Sequence, residues 1–110
     1  MIKVLVFGMT ENKGGVEAFL MNYYAHIDRE RIQFDFLCNS YNKIAYEDEI
    51  IAMGGRTFHI ISRRENRTRF YKELDQFFKE HSHEYQAIWV NVSSLANIDY
   101  LKYAKKYGIK

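Results

Sequence analysis

Val4-Leu5-Val6-Phe7-Gly8-Met9-Thr10-Glu11-Asn12-Lys13-Gly14-Gly15-Val16-Glu17-Ala18-Phe19-Leu20 is the stretch whose reading decides the fold. Four apolar residues without interruption make a short strand covered on both faces. Gly8 ends that strand and a polar loop runs from Thr10 to Lys13. Gly14-Gly15 then opens a helix in which Val16, Phe19, Leu20, Tyr23, Tyr24 and Ile27 recur at helical spacing and form the expected inner face. Strand, glycine loop and helix in this order are the first half of a βαβ unit.

The rest of the chain repeats the theme. Phe34-Asp35-Phe36-Leu37-Cys38 reads as a second strand, followed by a short helix with Tyr46, Ile50, Ile51 and Met53 inward. Glu47, Asp48 and Glu49 near its start suit the positive end of the helix dipole, and Gly54-Gly55 closes it. Thr57 to Ile61 is a third strand, and Phe70, Leu74, Phe77, Phe78 and His81 stripe a third helix. Ala87 to Val90 is a fourth strand, and Leu95, Ile98, Leu101 and Ala104 are the expected inner face of a helix over about 94–107. Gly108 caps that helix, and Ile109-Lys110 reads as the first step into a fifth strand. Four alternations of strand and helix predict an α/β, Rossmann-like doubly wound parallel sheet of order 3-2-1-4, truncated before the fifth strand. Residues 1–110 are expected to be one domain, with the fourth strand an exposed edge open to self-association.

Composition narrows the function classes. The chain has 110 residues, 47% of them hydrophobic and 16% aromatic, which supports one packed core and excludes disorder. A net charge of +2 gives no global field toward nucleic acid. Met1 to Phe7 is too short for a signal segment, and no apolar run approaches the ~20 residues of a membrane span. The single cysteine, Cys38, leaves no internal disulfide, so a cytoplasmic location is expected.

The glycine pair is the most informative candidate site. Backbone N–H groups at a helix start attract anions, and glycine lets a phosphate approach without a Cβ in the way. The plainer alternative is that Gly14-Gly15 only makes the turn, and both readings stand on chemistry alone. Gly8, Gly14 and Gly15 lack the G-x-G-x-x-G spacing of a dinucleotide site, and no Gly-Lys-Ser/Thr run follows. The acids that a receiver domain needs after its first and third strands are also absent: Phe7-Gly8-Met9 and Ile60-Ile61-Ser62 stand there. Asn91, Ser93 and Ser94 fall where the fourth strand ends. Arg63, Arg64, Arg67 and Arg69 lie on the same edge and could grip an anionic acceptor or acidic lipid, although a solvated loop paired to Glu65 and helix acids is the simpler reading. His81 and His83 would point to different helix faces, so no metal site is expected.

The glycine pair followed by Val16-Glu17-Ala18-Phe19-Leu20-Met21-Asn22 resembles the N-terminal domain of GT-B glycosyltransferases of retaining family four. Phe34 to Leu37, Glu49-Ile50 through Gly54-Gly55, and Tyr85 to Asn91 fit the same pattern in order, so the resemblance covers essentially the whole chain. It implies the acceptor-binding half of a hexosyltransferase-like enzyme that moves a sugar from a nucleotide-sugar donor in bacterial polysaccharide biosynthesis. It implies no cofactor, and a donor held mostly by a further domain. Gly14 and Gly15 would take the segment that approaches the donor diphosphate and the acceptor, with Asn91 and Ser93 lining the cleft; relatives often carry histidine near Asn91, a departure here. No catalytic residue of the family falls within these residues, and the fragment alone is expected to be inactive. A sugar or lipid-linked acceptor is the implied partner, with peripheral contact at the inner face of the membrane. The alternative is a non-catalytic Rossmann-like module that binds a ligand or partner.

Overall fold

The computed structural model describes residues 2–11, 14–62, 64–90 and 96–109. Its elements are β1 Ile2–Phe7, α1 Gly15–His26, β2 Ile32–Cys38, α2 Glu47–Ala52, β3 Thr57–His59, α3 Arg67–His81, a 3-10 turn Ser82–Glu84, β4 Ala87–Val90 and α4 Ala96–Lys106. The four strands are parallel in the order β3-β2-β1-β4, the order expected, with Val4 opposite both Phe34 and Ala87. β4 pairs with β1 alone and forms one edge of the sheet.

Side chains alternate along β1, which splits the core in two. Val6 joins Phe34, Phe36 and Cys38 under Leu20, Tyr24 and Ile50, so α1 and α2 cover one face. Leu5 and Phe7 join Leu37 under Phe70, Leu74, Phe78 and Tyr100, so α3 and α4 cover the other. This is the doubly wound arrangement. Each fully buried Leu or Phe contributes roughly 1.5–3 kcal/mol to holding it.

Four residues expected to face inward do not. α1 is turned so that Glu17, Leu20 and Tyr24 meet the sheet, which leaves Phe19 and Tyr23 about half exposed. Both rings instead meet Trp89 edge-on, with centroids at 6.0 and 5.2 Å, beside the β4 edge. Ile51 is exposed because α2 has fewer than two turns and seats only Ile50. In α4, Tyr100 stacks on Phe7 at 4.1 Å, which turns Leu101 to solvent. The expected inward positions Leu95 and Ile98 lie outside the described side chains. β3 stops at His59, shorter than expected, although Ile60 still donates to the Cys38 carbonyl at 2.9 Å. Gly108 caps α4 with φ +82, and Ile109 packs into the core while donating to the Ala104 carbonyl at 2.8 Å; Lys110, the other residue of the expected step into a fifth strand, lies outside the described residues.

One charged side chain is buried in the middle of a strand. Asp35 is 1% exposed and accepts hydrogen bonds from the Arg56 backbone N–H at 3.0 Å, Arg56 Nη2 at 2.8 Å and the Tyr85 hydroxyl at 2.7 Å. Lys3 Nζ lies 3.5 Å away. Arg56 and Lys3 also reach Glu84, whose other oxygen meets His81 Nδ1 at 2.6 Å. Burial disfavours ionised Glu84, but the hydrogen bonds from His81, Arg56 and Lys3 outweigh it and hold the carboxyl down to about 2. The cluster ties β1, β2, the approach to β3 and the 3-10 turn together.

Candidate functional site at the carboxyl ends of the strands

In open α/β sheets ligands bind outside the carboxyl ends of the strands. Gly8 leaves β1 there with φ +128, a conformation that glycine alone adopts without strain. Met9 is buried, and the loop is braced from its neighbour: the Ala45 N–H donates to the Thr10 carbonyl at 3.1 Å and Asn42 reaches Glu11 at 3.3 Å. Ile44, fully buried, anchors that neighbouring loop.

Gly14 is the N-cap of α1 and Gly15 its first helical residue, both exposed at the end of β1 as expected. Backbone conformation requires glycine at neither position. Gly14 has φ −87 and ψ −172, which any residue adopts, and Gly15 is not among the positive-φ glycines. A Cβ on Gly15 would meet nothing within 4 Å among the described residues. A Cβ on Gly14 would lie 2.9 Å from Oε1 of Glu17, which is buried and held by Thr10, so packing accounts in part for glycine at that position. The other glycine pair behaves oppositely. Gly54 has φ +93, and a Cβ on Gly55 would lie 2.8 to 2.9 Å from Ile50, the Tyr24 hydroxyl and the Phe34 carbonyl. Among the described residues, open space therefore remains beside Gly15 at the start of α1.

Sequence reasoning missed the pair that lines this space. Glu17 is 8% exposed, in the first turn of α1, and accepts a hydrogen bond from the Thr10 hydroxyl. Its carboxylate suits the positive end of the helix dipole and covers the Gly14 side of the helix start. An acid two residues after a glycine pair was the available signal. Cys38, at the end of β2, is buried, and burial with the nearby Glu47 charge pushes its thiol up to about 12, so it is no nucleophile.

The remaining candidates are Asn91, Ser93 and the arginine group Arg63, Arg64, Arg67 and Arg69. Asn91, Ser93 and Arg63 lie outside the described residues. Arg64 is exposed after β3, two strands and roughly 10 Å from β1, and has no partner among the described residues. Arg69 pairs with Glu73 at 3.0 Å and Arg67 lies over the Tyr71 ring at 6.0 Å, so part of the arginine group is held by its own helix. His59 is fixed between the Ser40 carbonyl at 2.7 Å and Glu47 at 2.8 Å, a structural role. No group of three His, Cys, Asp or Glu side chains among the described residues could hold a metal ion. No helix among the described residues is long and apolar enough to cross a membrane.

No family model matches the chain. No solved structure matches it significantly. Over 70 residues, 63% of the chain, it is 37% identical to a Bacillus subtilis (strain 168) protein named "Putative glycosyltransferase EpsF". The chain covers 18% of that protein, less than a fifth of its length. A relationship to a glycosyltransferase is what this similarity supports.

Proposed function

We propose that the chain is the N-terminal, acceptor-side domain of a GT-B glycosyltransferase resembling retaining family four. In this reading the whole enzyme transfers a sugar from a nucleotide donor to a sugar or lipid-linked acceptor in bacterial polysaccharide biosynthesis. The observation that carries it is Gly15 at the carboxyl end of β1, a glycine that neither its backbone conformation nor any described neighbour requires. Glycine there leaves the α1 amides open to a diphosphate, which would approach on the Gly15 side because the Glu17 carboxylate repels an anion over Gly14. Thr10 and Glu17 offer hydrogen-bonding groups to sugar hydroxyls beside it. The donor is held mainly by a further domain, with Asn91 and Ser93 completing the acceptor cleft. Arg64, and Arg63 with it, supplies a salt-sensitive contact for an anionic acceptor or the inner face of the membrane.

The test is Gly15→Val in the whole protein. With open space around the Cβ and no positive φ, the substitution costs well under ~1 kcal/mol of stability. Transfer from sugar nucleotides should fall at least about tenfold, the loss of ~1.4 kcal/mol of transition-state stabilisation, while the melting temperature stays put. Full activity in a stable Gly15→Val enzyme defeats the phosphate-approach role.

A further inference from the structure

A cavity of about 670 Å³ lies on the opposite side of the sheet from β4, between the free edge of β3 and the flank of α3. It is within the size range of small-ligand sites. Its apolar floor is a ring cluster: Phe58 meets Phe77 at 5.0 Å and His81 at 4.8 Å. Its end wall is a fixed polar group in which Glu73 accepts from the Tyr41 hydroxyl, from Arg69 Nε at 3.0 Å and from the Ile61 N–H at 2.7 Å. Its rim on α3 carries Lys72, Gln76 and Glu80, all exposed.

We infer that this cavity binds a neutral glycan segment, a subsite that holds the acceptor chain away from the transfer cleft. Aromatic faces carry negative quadrupole density and attract polarised C–H groups, while a sugar's edge asks for hydrogen-bond donors and acceptors around it. An aromatic floor with an amide, carboxylate and ammonium rim supplies both. Arg69 and Glu73 cancel each other, and Lys72 and Glu80 carry opposite charges, so among the described residues the lining has no net charge to favour an anion. An added β-strand is the competing occupant of an open edge; β3 offers it only three residues, and just past them the Ile61 N–H is already capped by Glu73. The choice of a glycan rests on the glycosyltransferase reading, whereas the cavity and its chemistry do not.

The experiment titrates cellotetraose, maltotetraose and chitotetraose, and in parallel trigalacturonate and inorganic phosphate, into the isotope-labelled chain, followed by amide chemical shifts. At least one neutral glycan should shift Phe58, His59, Gln76 and Glu80 saturably, with a Kd of about a millimolar. Gln76→Ala combined with Glu80→Ala should weaken it about tenfold at unchanged melting temperature, both side chains being on the exposed rim. No glycan shift at these residues, unchanged binding in the double variant, or tighter binding of trigalacturonate or phosphate each overturns the inference. No donor or transfer is involved. Failed glycan binding beside an inactive Gly15→Val enzyme would therefore remove the subsite alone. Glycan binding beside a fully active one would remove the phosphate role alone.

Discussion

Replacing Asp35 with asparagine changes one heavy atom in the most enclosed charged side chain among the described residues. The side chain is 1% exposed, and Oδ2 accepts from Arg56 Nε at 3.0 Å, Arg56 Nη2 at 2.8 Å and the Tyr85 hydroxyl at 2.7 Å. In asparagine an NH₂ group faces those donors, or flips and faces the Arg56 backbone N–H instead; no orientation satisfies every partner. Removing one partner of a buried pair costs about 3–5 kcal/mol. Arg56 is 43% exposed and Lys3 26%, so both can turn to water, and the lower end applies. About 3 kcal/mol corresponds to a melting temperature lower by roughly 10–25 °C in a domain of this size. Urea unfolding followed by circular dichroism measures the loss directly, and an unchanged m-value would show that the two end states are comparable. A loss under about 1 kcal/mol would refute the view that this cluster clamps the sheet.

Glu84 makes stability depend on pH. Its carboxyl lies below the ordinary value of 4.5 at about 2, so its contribution is fully present above pH 4.5 and disappears as pH falls toward 2. At ~1.4 kcal/mol per pH unit the ceiling is ~3 kcal/mol, lowered by solvent because the side chain is 23% exposed; Glu84→Gln should flatten the acid limb of a stability–pH curve, and an unaltered limb would count against the assignment. Gly55→Ala should cost about 1–3 kcal/mol by overpacking, because the Phe34 carbonyl 2.9 Å from the new methyl is backbone; denaturant midpoints equal to the parent would contradict this. The β4 edge and the half-exposed Phe19 and Tyr23 beside it should drive concentration-dependent self-association, which sedimentation detects and Phe19→Ser with Tyr23→Ser abolishes; a monomer at every concentration would dismiss it.

Most of the fold was legible because it rests on pattern. Unbroken apolar runs marked buried parallel strands, alternation with helical segments implied right-handed crossovers, and the order 3-2-1-4 followed from the doubly wound arrangement such units adopt. The errors came where two apolar residues competed for one seat. Tyr100 and Leu101 are neighbours in α4, and spacing cannot say which is stacked on Phe7; shape complementarity decides it. Phe19 and Tyr23 fit the helical stripe as well as Leu20 and Tyr24, but the actual rotation of α1 also places Glu17 inward, where Thr10 receives it. Asp35 read as one polar residue in an apolar strand. Its partners Arg56 and Tyr85 are 21 and 50 residues away, and no local rule connects them.

The two glycine pairs show where sequence stops and coordinates begin. Gly14-Gly15 and Gly54-Gly55 are identical dipeptides, each at a helix terminus. Gly54 is demanded by its left-handed φ, and Gly55 by three atoms within 3 Å of a missing Cβ, so this pair is fully explained by folding. Substitution there would damage any function through stability alone and would teach nothing about a ligand. Gly14 has only the Glu17 carboxylate against it, and Gly15 faces neither demand among the described residues. Glycine costs about 0.5–1 kcal/mol relative to alanine in the middle of a helix, and less at the first residue, where Gly15 sits. In the proposed function, something outside the chain occupies the space a side chain on Gly15 would fill. That is why the functional reading rests on Gly15, and why stability must be measured beside activity in Gly15→Val.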